Sequence, residues 1–189
     1  MKPINHIHKI KEEALIILIF IAAIWLVFIL DLFLPLEKFG LIPRDGSGLF
    51  GIVTMTFLHA DFQHIMSNTL PLVILLSLLA GSQADSKKIV ASIIILGGFL
   101  LWIFGRSHSI HIGASLLIFG LVTFLLVAGF LERRTIPMMV SLIVAVVYGS
   151  TLLTGIVPLQ QGVSWEGHLM GGIAGAITAW VLLKFYADR

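Results

Sequence analysis

Long apolar runs separated by short polar segments dominate the chain. The runs have roughly the 20 residues that an α-helix needs to cross a hydrocarbon core of about 30 Å. Because lipid offers no hydrogen bonds to the backbone, each run must satisfy its own N–H and C=O groups as a helix. The pattern therefore predicts six spans, at about residues 14–34, 62–80, 88–104, 113–131, 136–154 and 166–186.

Helix-breaking residues mark the ends of several runs. Pro35 follows the first run, and Gly105 follows the third. The fifth run carries Pro137 close to its start, where a missing backbone N–H costs little. The segment 35–61 is apolar with few charges, so we expect it to lie partly in the membrane interface rather than in water.

The composition agrees with a membrane protein. Of the 189 residues, 58% are hydrophobic and 12% are charged, and the mean hydropathy is +1.06. So few polar side chains cannot cover the surface of a soluble domain of this size. The chain has no cysteine, which excludes disulfides and thiolate chemistry, and its formal charge of +2 gives no basis for nucleic-acid binding. We expect a single all-α domain over residues 1–189.

Basic residues divide the predicted loops into two sets. Three lie on one side of the bundle, namely Lys38, Arg44 and Arg106. Nine lie on the other side, namely Lys2, Lys9, Lys11, Lys87, Lys88, Arg133, Arg134, Lys184 and Arg189. Since short cytoplasmic loops are enriched in Lys and Arg, both termini are predicted to be cytoplasmic.

Four polar side chains at the outward end of the predicted bundle could together perform acyl transfer. Ser115 could act as a nucleophile, and His168 could act as its base, because imidazole titrates near neutral pH. His64 and Asn68 are four residues apart, on one helix face, and could donate hydrogen bonds to an oxyanion. The backbone N–H of Ser115, near a helix start, could add a third donor. No acidic third member is evident, so a Ser–His dyad is the simplest interpretation.

Three glycines would allow close approach around these side chains. Gly113 leaves the backbone open beside Ser115, and the spacing of Gly171 and Gly175 permits tight packing of a neighbouring helix. Each feature alone also has an ordinary explanation. A serine in a membrane helix often bonds its own backbone, and such glycines often serve only helix packing.

Other site types meet their requirements less well. A zinc protease would need a His-Glu-x-x-His helix, which the sequence lacks, and the spacing of His59 and His64 is weak for a metal. A transporter would be expected to show internal repeats. His111, one turn before Ser115, could compete as the base, although we interpret it as an interfacial residue at the mouth of the fourth span.

Three motifs together resemble the rhomboid intramembrane serine proteases, in their compact six-span bacterial form. They are His64-x-x-x-Asn68, Gly113-x-Ser115, and His168 followed by Gly171 and Gly175. The motifs fall in the second, fourth and sixth spans, and the resemblance covers essentially the whole chain. It implies a serine-type endopeptidase in which Ser115 is the nucleophile, His168 the general base, and His64 and Asn68 contribute to the oxyanion hole, with no cofactor or metal.

The resemblance also implies the class of substrate, the location of the protein and two mobile elements. Substrates would be transmembrane proteins, cut within the lipid bilayer of a bacterial inner or plasma membrane. The segment 155–165 would be a flap over the site, and the fifth span a lateral gate. The family commonly has glycine directly after the nucleophile, and Leu116 at that position is expected to narrow the site. The alternative is a non-catalytic rhomboid-like protein that binds client transmembrane helices without cutting them.

Overall fold

Helices account for nearly all of the regular structure in a computed structural model that describes residues 6–83, 85–158 and 163–187. In chain order they are α1 (His6–Asp31), the short α2 (Gly51–Thr54), α3 (Phe62–Ser82), α4 (Ser86–Phe104), α5 (Ser115–Glu132), α6 (Thr135–Gly155) and α7 (Trp165–Ala187). Of these α-helices in the described residues, all except α2 are long and apolar enough to cross a membrane. The predicted all-α architecture with six spans is confirmed.

Local contacts explain where the helix ends differ from the predicted ends. The helix α1 ends at Asp31 rather than at residue 34, because the Asp31 carboxylate accepts the N–H of Leu36 at 2.7 Å and turns the chain. The helix α5 begins at Ser115 rather than at 113, because Gly113 has a φ of +114°, outside the range of a right-handed helix. Pro137 lies in the first turn of α6, as predicted.

The helix α5 forms the centre of the bundle. About 61% of its span is buried, compared with 22% for α6 and 11% for α1. It packs against α3, α4, α6 and α7, and its buried residues cover all sides of the helix. A helix enclosed in this way holds its first residue, Ser115, in a position set by several neighbours at once.

The loop between α1 and α3 is bonded to the segment that precedes α5. Leu41 and His111 exchange two backbone hydrogen bonds, of 3.0 and 2.8 Å, in an isolated antiparallel bridge. The N–H of Gly113 donates to the carbonyl of Met55 at 2.8 Å. Leu41 and Met55 are both buried. The loop therefore fixes residues 111–113 from one side, although its placement in a membrane interface stays a prediction.

Candidate active site

Ser115 is the first residue of α5 and is half-buried. Ala114 precedes it as the helix cap and makes no side-chain cap bond. The N–H groups of the first helical turn have no partner inside a helix, so they are available to an anion near Ser115. The positive φ of Gly113 turns the chain into α5 directly before this pair. The local backbone thus places a hydroxyl and unpaired N–H donors at one point.

His168 lies in the first turn of α7 and contacts two other helices. Its ring is stacked on Phe119, with centroids 4.1 Å apart and planes 5° from parallel. Phe119 lies one turn after Ser115 on α5, so the stack holds the imidazole against the helix that carries the hydroxyl. The Nδ1 atom of His168 is 2.8 Å from the carbonyl oxygen of Gly155 at the end of α6.

The bond to Gly155 decides which nitrogen of His168 carries the proton. A carbonyl oxygen can only accept a hydrogen bond, so Nδ1 must be the donor. The Nε2 atom of the neutral ring is then left as an acceptor, the form that a general base requires. A backbone carbonyl therefore provides the orientation that an acidic residue provides in a Ser-His-Asp triad.

The roles of Phe119 and Gly155 in holding His168 were not predicted. The spacing of Phe119, four residues after Ser115, was the available signal.

The two predicted packing glycines lie where α7 touches α5. A Cβ atom at Gly171 would overlap the carbonyl oxygen of Leu116, and a Cβ at Gly175 would overlap that of Gly120. The same four-residue step along both helices means that they run in the same direction in this contact. We call this contact the glycine seam. Since it lies one turn further along α7 than His168, it holds the base at the level of the α5 start.

Gly113 makes room for His64. A Cβ atom at Gly113 would lie 2.6 Å from Nε2 of His64, so any side chain there would displace the imidazole. Asp61 caps α3 by accepting the N–H of His64 at 2.7 Å. Asn68 is buried, and its Nδ2 group donates to the carbonyl of His64 at 2.7 Å. One N–H of the Asn68 amide is therefore used inside α3, which leaves its second N–H for an oxyanion.

His59 supports the segment before Ser115 through a hydrogen bond to the backbone. Its side chain is 1% exposed, and Nε2 accepts the N–H of Ala114 at 3.5 Å. Its ring meets that of His64 edge-on, with centroids 5.0 Å apart. Burial, together with the neighbouring His64, lowers the pKa of His59 to about 4. His59 is therefore neutral near pH 7 and can accept the bond from Ala114.

Comparison with known sequences assigns the chain to one family. Residues 46–185 match the sequence profile of the Rhomboid domain. The chain belongs to the rhomboid family. An uncharacterized protein of Mycobacterium tuberculosis is 41% identical to it over 179 residues, which cover 88% of this chain and 73% of the relative. An uncharacterized protein of Mycobacterium leprae is 37% identical over 177 residues, which cover 88% and 70%. As a rhomboid with six apolar helices, the chain is a multi-pass membrane protein.

Leu116, which stands where rhomboids commonly have glycine, does not narrow the site as expected. Its side chain is 2% exposed and packs in a small apolar cluster with Leu41, Met55 and Leu101. A Cβ atom at Gly97 on α4 would lie 2.8 Å from Cδ2 of Leu116. The glycine on α4 thus makes the room that the larger residue on α5 needs. The expectation was wrong because the side chain leaves the helix toward α4.

His111 also differs from its interpretation as an interfacial residue of the fourth span. It precedes α5, is 4% exposed, and lies in the bridge with Leu41. Its Nδ1 atom is 2.6 Å from Oγ of Ser164. The hydroxyl of Ser164 also accepts the N–H of Gly167 at 3.1 Å, which caps α7. His111 therefore reaches across to the start of the helix that carries His168.

An ion pair with a buried carboxylate lies at the same end of the rhomboid. Arg106, in the loop after α4, pairs with Glu166 in the first turn of α7. The Glu166 side chain is 5% exposed, whereas that of Arg106 is 57% exposed.

No group of three metal-ligating side chains occurs within the described ranges. The predicted flap, 155–165, includes residues 159–162, which lie outside the described residues.

Proposed function

We propose that this rhomboid is an intramembrane serine endopeptidase that cuts transmembrane protein substrates with a Ser115–His168 dyad. The observation that carries the proposal is the setting of His168. Its ring is stacked one turn from Ser115, and its Nδ1–H is bonded to a carbonyl. A histidine that serves only packing would have no need of both constraints. Together they hold the ring against α5 with Nδ1 as the donor, which supports His168 as the general base for Ser115.

In the acylation step, the Ser115 hydroxyl attacks a substrate carbonyl carbon. Nε2 of His168 takes the hydroxyl proton as the C–O bond forms. The carbonyl oxygen becomes an oxyanion, and the resulting imidazolium is stabilised by its Nδ1–H bond to Gly155. Nε2 then returns the proton to the substrate nitrogen as the C–N bond breaks. The amine product leaves, and an ester to Ser115 remains.

The oxyanion would be bound by donors from two elements. The N–H of Ser115 belongs to the first turn of α5, and the His64 imidazole contacts Gly113 beside it. The remaining N–H of Asn68 is a further donor, one turn along α3. Loss of one donor from such a set typically lowers kcat by about 10²- to 10³-fold.

The deacylation step uses the same groups with water as the nucleophile. Nε2 of His168 removes a proton from water, which attacks the ester carbonyl. The second oxyanion collapses, the C–O bond to Ser115 breaks, and His168 returns the proton to the Ser115 oxygen. Water must therefore reach the start of α5. The predicted orientation, with both termini cytoplasmic and the α5 start near the outer face of a bacterial plasma membrane, would allow this.

The decisive experiment compares wild type with three variants in lipid vesicles, using a reporter protein that has one transmembrane segment. Wild type should cut the reporter, whereas Ser115→Ala and His168→Ala should not. Ser150→Ala is the matched control, because Ser150 is an exposed serine on α6, and it should behave as wild type. A fluorophosphonate probe should label wild type and fail to label Ser115→Ala.

The outcomes separate the two function classes. Equal cleavage by wild type and Ser115→Ala would reject Ser115 as the nucleophile. Binding of the reporter with neither cleavage nor labelling would favour the non-catalytic rhomboid that holds client helices. Labelling that requires both Ser115 and His168 would support the dyad even with a reporter that is a poor substrate.

A further inference from the structure

One side-chain hydrogen bond joins the two segments that carry the dyad. The Nδ1 atom of His111 is 2.6 Å from Oγ of Ser164. His111 lies four residues before Ser115, and Ser164 lies four residues before His168. The bond therefore spans the gap between α5 and α7 at the level where both helices begin. It lies outside the chemical steps described above, and none of the sequence motifs includes it.

Both partners of this bond are held rigidly on their own sides. The backbone of His111 is fixed by two hydrogen bonds to Leu41. Oγ of Ser164 accepts the N–H of Gly167, and the carbonyl of Ser164 accepts the N–H of His168 at 3.1 Å. A shift of either segment would therefore be transmitted to the other. The glycine seam begins at Leu116 and Gly171, directly after the dyad in both helices, so it holds the pair from the opposite side.

We propose that His111 and Ser164 are positioning residues that set the separation of Ser115 and His168. The proposal rests on the proposed function, since it concerns the geometry of the dyad. Nucleophile and base must be held to within a fraction of an ångström, and a 1 Å displacement can cost about 100-fold in rate. The His111–Ser164 bond acts before the dyad in both segments, whereas the seam acts after it, so the two contacts together restrain the separation of Ser115 and His168.

The ion pair between Arg106 and Glu166 supports the same arrangement. Arg106 precedes His111 in the loop after α4, and Glu166 follows Ser164 in the first turn of α7. Two polar contacts thus connect the same two segments, and the carboxylate of one of them is almost fully buried. Burying such groups is costly unless they are paired, so their pairing resists separation of the segments.

The test is a double-mutant cycle on kcat and KM for reporter cleavage. His111→Leu removes the hydrogen bond, because it replaces the imidazole with an apolar side chain of similar size in the buried position. Ser164→Ala removes both the bond and the α7 cap. His111→Asn places an amide near the former Nδ1, and Ser164→Thr keeps the hydroxyl. His108→Asn is the control, because His108 is exposed in the same loop with a φ of 63°, which asparagine tolerates.

We expect His111→Leu to lower kcat by about 10- to 100-fold with KM unchanged. His111→Asn and Ser164→Thr should recover most of this loss, and His108→Asn should match wild type. Because the bond is shared, the double variant should be no slower than Ser164→Ala alone. Independent, multiplying losses in the double variant would overturn the proposal, as would wild-type kcat in His111→Leu.

Hydrogen exchange supplies a readout that needs no activity. In His111→Leu, the amides of 111–115 and of 164–168 should exchange faster together, while the middle of α5 stays protected. Unchanged exchange at 164–168 would reject the contact as a coupling between the segments. If Ser115→Ala cleaves like wild type, the proposed function fails, and the exchange result still decides whether His111 and Ser164 hold the two segments together.

Discussion

The two helices that flank α5 pack against it in different ways. On one side, α7 meets α5 backbone to backbone at Gly171 and Gly175. Thr123 of α5 adds a hydrogen bond of 2.8 Å to the carbonyl of Gly172 in the same contact. On the other side, α6 presents a stripe of buried side chains at four-residue spacing, namely Val140, Val144 and Tyr148. Only 22% of the α6 span is buried, compared with 44% for α7.

This difference assigns different roles to the two helices. Interlocked backbones resist sliding and separation, so α7 carries His168 on a fixed support. Near its start α6 also meets α5 closely, because a Cβ at Gly129 would overlap Ser141 and lie 2.7 Å from the carbonyl oxygen of Pro137. Further along, the contacts of α6 are made by side chains, and contacts with lipid can replace them. That part of α6 can therefore leave α5 at lower cost. Such a movement of α6 would lengthen or break the hydrogen bond from His168 to Gly155 at the end of α6. The prediction that α6 is a lateral gate is consistent with this asymmetry.

The largest expected effect on folding comes from replacing a glycine by valine on α7, compared with the same replacement on α6. Gly175→Val should prevent folding into the active bundle, because even a Cβ there overlaps Gly120 and Thr123. Gly149→Val on α6 should leave folding within about 0.5 kcal/mol of wild type, since a Cβ there has open space. Gel filtration and thermal melting in detergent measure both. Equal tolerance of the two substitutions would refute the glycine seam.

Leu116 tests the contact of α5 with α4. Leu116→Ala should cost about 2–4 kcal/mol, because it empties the space beside Gly97. Cleavage specificity on a panel of reporter sequences should not change, since the side chain points away from the site. Gly97→Ala should also destabilise the wild type, and it should cost less in the Leu116→Ala background. A broadened substrate range in Leu116→Ala would show that Leu116 borders the substrate after all.

Sequence patterns predicted the spans well because lipid imposes one simple rule on the backbone. The four side chains of the proposed dyad and oxyanion hole were recognisable because each belongs to a short motif. Contacts made across loops were not recognisable. The bridge between Leu41 and His111, and the bond from His111 to Ser164, join residues far apart in sequence without a spacing rule. The complementarity of Gly97 and Leu116 is of the same kind, because only the folded helices bring the two together.

A pH dependence is expected from His59, which contacts the segment directly before α5. Its pKa is about 4 in the folded state and 6.5 when unfolded, so the unfolded chain binds more protons between these values. Stability should therefore be highest above pH 6.5 and fall by up to about 3 kcal/mol toward pH 4. Burial also lowers the pKa of His111, which acts in the same direction.

Melting curves across this pH range measure the His59 effect. His59→Gln keeps an acceptor for the N–H of Ala114 and does not titrate, so its melting temperature should fall less steeply below pH 6.5. The difference between the wild-type and variant slopes isolates His59 from the carboxylates, which titrate in both proteins. Parallel slopes would mean that His59 is not the buried neutral group that its surroundings indicate.

The smallest effect on stability should come from removing a buried side chain of α6. The same substitution also tests whether α6 moves during activity. Val144 is fully buried against the core, whereas Val146, half a turn away, is 77% exposed. Val144→Ala should cost about 1 kcal/mol, mainly through lost packing, because in lipid there is no water to expel. If α6 separates from α5 to admit a substrate helix, the same change should lower KM or raise kcat for a transmembrane reporter. It should not do so for a short soluble peptide, and Val146→Ala should change neither quantity. A loss of activity in Val144→Ala proportional to its loss of stability would mean that α6 is as fixed a support as α7, and the contrast between the two helices would no longer hold.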